Sequence, residues 1–271
     1  MPDLLSATAG RTRASGLLAA ALLALLVAPG TRAAEQPTLS LVADAWCPVS
    51  CATTDKLPGY AVEITRDIYT AAGYRVRYVT APWARAVVDT REGRHQVLIG
   101  VADSESPEEL LFAREPVAIN VNAFFVRKAD TWQYRGVASL AKVVVGVAND
   151  YVFGEPFDSY NAKHRANARR IHVLVAEDPV TQGIALLRMK RIDTYLDDRT
   201  VVRWTTGAGR LPADLREAGE LSRFPLYVGF PRKDPRAAQW AKSFDDGIRQ
   251  MRASGALKRL LARYGVSDWK K

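Results

Sequence analysis

Two α/β lobes are what this chain predicts, and three observations carry the expectation. Apolar runs and amphipathic stretches alternate from Leu39 onward. The alternation breaks off and restarts near Val143. Roughly 240 residues follow a leader-like N-terminus, enough for two lobes of ordinary size.

The leader comes first. Arg11 and Arg13 precede an uncharged Leu/Ala-rich run from Gly16 to Val27, then Pro29-Gly30 and small residues, which is the pattern of a secretory signal over residues 1–33 cleaved near Ala33 or Ala34. The run is short of the roughly 20 residues a lasting anchor needs. A soluble protein of the periplasm is expected.

"LSLVA" (Leu39 to Ala43) is the first strand. In "PGYAVEITRDIYTAAGY", Ala61, Ile64, Ile68 and Ala71 recur at spacings of three and four, so a helix with one apolar face follows and Gly73 stops it. "VRYV" is the second strand. A helix from Pro82 to Glu92 comes next, with Ala84, Val87 and Val88 on one face and Gly93 past its end. "VLIGV" runs without alternation, as a strand covered on both faces does. Strand-helix repetition of this kind builds a parallel sheet wrapped by helices. The second round reads "VVVGV", a helix around Tyr151 to Ala166, "IHVLV", a helix from Pro179 to Met189 and the strand "RIDTYL". "FPLYVGF" offers another strand. Phe244, Ile248 and Met251 share a face of a late helix, Gly255 breaks it, and Leu257, Leu260 and Leu261 begin the last one.

The net charge of +9 falls to about +7 without the leader, and its basic residues are scattered beside acids, as in "DTREGR" and "FPRKDPR". That is a solvated surface rather than a nucleic-acid footprint, so no nucleic-acid partner is expected. There are two cysteines, Cys47 and Cys51. Export favours a disulfide pinning the loop after the first strand; a zinc site lacks histidines at ligand spacing, and a catalytic pair more often reads Cys-x-x-Cys.

Ligands of parallel α/β sheets bind outside the C-terminal ends of the strands. That rule selects Asp44 and Trp46 after the first strand, Trp83 and Arg85 after the second, Asp103 after the third, and Tyr151, Glu177, Asp197 and Asp198 in the second lobe. Each has a structural alternative. Trp83 either stacks on a guest or covers the sheet, and Trp46 either faces the guest or shields the disulfide loop. Arg85 either reaches inward or pairs with Asp89 four positions on. Asp198 either holds a ligand or caps a helix beginning at Arg199, and Asp44 and Asp103 stand where aspartates often cap turns.

The order of "LSLVADAWCP", "GYAVEITRDIYTAAGYRVRYVTAPWARA", "VLIGVADSESPEELLFAREPV", "VVVGVANDY", "RIDTYLDD" and "IRQMRASGALKRLLARYG" resembles the family-3 extracellular solute-binding proteins. The resemblance implies a two-lobed periplasmic-binding-protein fold, each lobe a mostly parallel sheet flanked by helices. Lobe 1 would comprise residues 34–121 plus 228–271 and lobe 2 residues 122–227, with hinges near Val121 to Val126 and Phe224 to Val228. It implies that Trp46 and Trp83 sandwich the ligand, that Asp198 holds an amino group and that Tyr151 opens the second lobe's helix. Amino-acid binders of the family also carry a carboxylate-clamping arginine after the third strand. Here that stretch reads "SESPEELLFA", with no arginine before Arg114.

The function implied is capture of a small polar or cationic metabolite by a monomer without cofactor or metal, for delivery to the permease of an uptake transporter. The alternatives are an enzyme of the same fold resembling cyclohexadienyl dehydratases, and a sensing protein that docks on a membrane receptor. No Gly-x-Ser-x-Gly, metal cluster or phosphate-cradling loop favours the enzyme.

Overall fold

A computed structural model describes residues 36–102, 107–149, 151–176, 178–207 and 209–270. The leader, its cleavage site, Asp103 and Glu177 lie outside the described residues.

The first lobe opens with β1 (Thr38–Ala43), α1 (Tyr60–Ala71), β2 (Arg75–Thr80), α2 (Trp83–Arg91) and β3 (Val97–Ala102). β1 lies between β2 and β3, parallel to both. Ala61, Ile64 and Ile68 of α1 are buried, as their spacing predicts. The face of α2 is a correction: Ala84 and Val88 are exposed, Val87 is only partly buried, and the helix buries Ala86, Asp89 and Thr90. Trp83 at the first position sets the helix's rotation by packing against the cluster around Val42, Ala86 and Leu98, which swings Val88 outward.

Next come two strands that cross the molecule and a small third. β4 (Leu110–Phe112) pairs with β9 (Leu215–Pro231), and β5 (Ala118–Arg127) pairs antiparallel with β9 along its whole length. The register shifts twice, between Asn122 and Ala123 and between Phe124 and Phe125. Such bulges bend and twist a ladder where one sheet must serve two cores.

The second lobe holds a 3-10 helix (Val137–Lys142), β6 (Val145–Ala148), α3 (Phe157–His164), β7 (Ile171–Leu174), α4 (Pro179–Arg188), β8 (Thr194–Asp198) and α5 (Arg199–Gly207). β6 is parallel to β7 and β8. α3 starts six residues later than predicted, because Tyr151 to Pro156 form a loop whose Phe153 and Gly154 N–H groups donate to the Asp158 carboxylate. After β9 the chain returns to the first lobe as α6 (Ala237–Ala253) and α7 (Ala256–Ala262), with Gly255 left-handed between them at φ 72°.

The sheet order is β2-β1-β3-β9-β5-β8-β6-β7. A core drawn from residues 39–118 and 226–264 fills one side, and cores drawn from residues 123–218 fill the other. The result is the two-lobed α/β architecture that the alternation of elements predicts, with one continuous mixed sheet where two mostly parallel ones are expected. Among the described residues no helix is long and apolar enough to cross a membrane.

Candidate functional site

A crevice of about 540 Å³ opens where the loops after β1 and β2 and the end of β3 face the loop after β6 and the end of β8, with β5 and β9 as its floor. That volume suits a small ligand. A hollow of about 640 Å³ elsewhere is lined by Val88, Arg91, Glu92, Glu109, Arg232 and Lys233. Charged arms on one lobe's outer surface make it a poorer candidate than a cleft with apolar walls.

Trp46 is fixed by a short turn. Cys47 and Cys51 are joined in a disulfide, and the N–H groups of Val49 and Ser50 both donate to the Trp46 carbonyl at 3.0 and 3.1 Å. The same turn caps α1, because its Pro48 and Val49 carbonyls accept from the N–H groups of Tyr60 and Ala61. Gly59 permits this fit, with φ at 99° and a Cβ that would stand 2.5 Å from the Val49 oxygen. The half-buried Trp46 ring lines the crevice and packs against cores of both lobes. Trp83 also lines the crevice, its ring partly buried on the first lobe's smaller cluster. Between the indoles, β3 bulges at Gly100, whose φ of 94° and open surroundings leave the backbone bare toward the crevice.

Across the crevice stands Tyr151, 41% exposed, its phenol pushed up to about 12 by partial burial and then by the charges of Asp197, Asp44 and Asp178. Next to it, the Phe153 carbonyl accepts from Asn122 Nδ2 and from Ser222 Oγ, one on each crossing strand. Asn120, two residues before Asn122 on the same face of β5, also lines the crevice.

The second-lobe acid is not the expected one. β8 runs two residues further than "RIDTYL", so its alternation sends neighbouring carboxylates to opposite faces. Asp198 accepts from the N–H groups of Thr200, Val201 and Val121 at 2.8, 3.0 and 2.8 Å; it caps α5 and ties it to β5. It does not line the crevice. Asp197 does, buried to 2% exposure, accepting from the Tyr195 hydroxyl at 2.5 Å and the Asp198 N–H at 2.7 Å. Burial pushes its carboxyl up to about 7 against the pull of those bonds, with Asp198 and Asp178 adding to the rise.

Arg85 is also reassigned. Its side chain is 65% exposed, its Nε donates to both Asp89 oxygens at 2.7 and 2.9 Å, and it is absent from the crevice wall. The structure thus gathers Asp44, Trp46, Trp83 and Tyr151 from the sequence-derived set, takes Asp197 rather than Asp198 from the Asp-Asp pair, and adds Gly100, Asn120 and Asn122. The Asp-Asp repeat was the available signal for Asp197, since one of two adjacent acids on a strand must face each way. Asn120 and Asn122 carried a weaker one, polar residues at alternate positions of an apolar strand. Neither Lys nor Arg is among the described lining residues, and Arg114 is exposed outside the crevice.

A family profile for bacterial extracellular solute-binding proteins, family 3, matches residues 40–267. The chain belongs to that family. The fold is similar to the probable amino-acid ABC transporter extracellular-binding protein YtmK of Bacillus subtilis, at TM-score 0.67 and 15% identity over 85% of this chain and 99% of the other. It is similar to substrate-binding domain 2 of Lactococcus lactis GlnP in its open conformation, at TM-score 0.64 and 15% identity over 86% and 97%. A histidine kinase sensor domain similar to periplasmic binding proteins gives TM-score 0.63 and 19% identity over 85% and 97%. A search of curated proteins returns no match.

Proposed function

We propose that this family-3 protein, exported to the periplasm, captures a small solute bearing an amino or other cationic group between its lobes and presents it to a membrane partner. The observation that carries the reading is the composition of the crevice wall: two indoles and two carboxylates, drawn from both lobes, with no basic residue among the described lining. Indole faces attract cations by roughly 0.5–2 kcal/mol each, more when desolvated. Contacts made to both lobes exist only when the lobes are closed, so the solute itself drives closure. Transporter-binding domains and a sensor domain are among the similar folds, which supports either a permease or a receptor as the partner.

A thermal-shift panel of amines, amino acids and small carboxylic acids tests the reading. Dose-dependent stabilisation by cationic members, lost in Trp83→Ala, is the expected result. Stabilisation by carboxylic acids alone would refute it.

One observation favours a second reading. Asp197, with its carboxyl pushed up to about 7 inside the crevice, has the proton affinity of a general acid. A dehydratase would release water from prephenate or arogenate; a binding protein yields no product.

A further inference from the structure

Behind the crossing strands, on the face of β5 turned away from the crevice, lies a second cavity of about 250 Å³. Its wall comes from both lobes. Tyr60, Tyr264 and Trp269 belong to the first, Arg199 and Arg203 of α5 to the second, and Arg223 stands on β9.

The charge of this wall is opposite to that of the crevice. Among the described residues its three arginines share two carboxylates, Glu217 and Glu220, and neither of these lines the cavity. The acid in the described lining, Asp268, is already engaged, accepting from Arg252 Nε at 2.8 Å and from the Lys270 N–H at 3.1 Å. One guanidinium charge is in excess. Two donors are also unmet. Arg203 Nη2 donates to Glu217 at 2.6 Å, but its Nε is buried without a hydrogen-bond partner, and so is the Trp269 indole Nε1. A buried N–H without an acceptor is costly, and native structures rarely keep one without cause.

A water molecule would accept from such a donor but leave the extra positive charge uncompensated. An oxyanion compensates the charge and offers one oxygen to each donor, the pairing that guanidinium groups favour. The small volume limits the guest to a small ion. We propose that this cavity is a second binding site, for a small oxyanion, carboxylate or phosphate, that accepts from Arg203 Nε on the second lobe and from Trp269 Nε1 on the first. Nothing in it depends on which solute the crevice holds.

Indole N–H signals of the mature protein, followed by NMR during titration with inorganic phosphate, acetate or chloride at fixed ionic strength, test this. The Trp269 signal, assigned by its loss in Trp269→Phe, is expected to move saturably with phosphate or acetate, and whichever acts at lower concentration identifies the source. The Trp132 indole, which donates to the Ser139 carbonyl at 3.2 Å, is expected to stay still. Arg203→Lys keeps a cation but loses the Nε–H, and is expected to weaken the oxyanion about tenfold, the value of one charge-assisted contact. A Trp269 signal that stays still, follows chloride equally or drifts without saturating would overturn the site and leave the crevice reading untouched. Unchanged affinity in Arg203→Lys would overturn it as well. Should either variant fail to fold, assignment of Trp269 through its backbone amide and the wild type's preference for oxyanion over chloride decide alone.

Discussion

The two faces of the crossing strands handle charge in opposite ways. On the crevice face, Asn120 and Asn122 of β5 look toward Asp44 and Asp197 without a basic residue in the described wall. On the other face, Ile119 and Val121 line a hollow of about 250 Å³ beside Arg199, Arg203 and Arg223. There the arginines are tied to acids: Arg199 to Glu217 and Glu220, Arg203 to Glu217, and Arg223 to Glu220. Trp204 and Tyr264 meet with ring centroids 5.5 Å apart, and the backbones of Gly209 and Gly265 approach so closely that a Cβ on Gly265 would lie 2.9 Å from the Gly209 Cα. The charges at the back are paired within the second lobe, and the Trp204–Tyr264 and Gly209–Gly265 contacts join it to the first. The front carries two acids and no basic residue among its described lining.

The neighbours Asp197 and Asp198 carry that contrast within one strand, and substituting each sharpens it. Asp198→Ala has the largest expected effect on folding. It removes a helix cap and leaves the buried Val121 N–H without its acceptor, together about 2–4 kcal/mol, read from chemical denaturation. Trp46→Ala follows at about 2 kcal/mol, because the ring packs on cores of both lobes, whereas Trp83→Ala is expected to cost about half as much stability and to abolish the solute response.

Asp197→Asn comes next. The folded carboxyl titrates near 7 and the unfolded one near 4, so the native state binds the extra proton between those values. Stability of the unliganded wild type should therefore fall as pH rises from about 4 to 7, by at most about 1.4 kcal/mol per unit from this group, and level off above. The wild-type-minus-variant difference in denaturation midpoints isolates the effect. Affinity for a cation should move the other way, strengthening as pH rises through 7. Arg85→Ala is the smallest: Asp89 keeps its partner Arg94, and neither the unfolding midpoint nor the solute response should change. A lost solute response would place Arg85 in the crevice and break the front-to-back contrast.

Much of this was legible in the residues. The periodicity of α1, the uninterrupted run of β3 and the glycine between α6 and α7 each report a local property, and local properties survive in sequence. The rule that loops beyond strand ends build the site was enough to find Asp44, Trp46, Trp83 and Tyr151. What failed depended on register. A two-residue extension of β8 exchanged the roles of Asp197 and Asp198, and the seating of Trp83 turned α2 so that Arg85 points to solvent. The hinges near Val121 to Val126 and Phe224 to Val228 came from the family resemblance, and β5 and β9 run on past both as paired strands. Asn120 and Asn122 gained meaning only once two lobes stood around them.

Hydrogen–deuterium exchange with and without a bound amine tests the central claim most directly, because it reports both lobes at once. Protection is expected together at residues 44–46 and 83–86 of the first lobe and 151–154 and 195–198 of the second. Protection confined to one lobe, or appearing at the hollow around Arg203 and Trp269 instead, would contradict it.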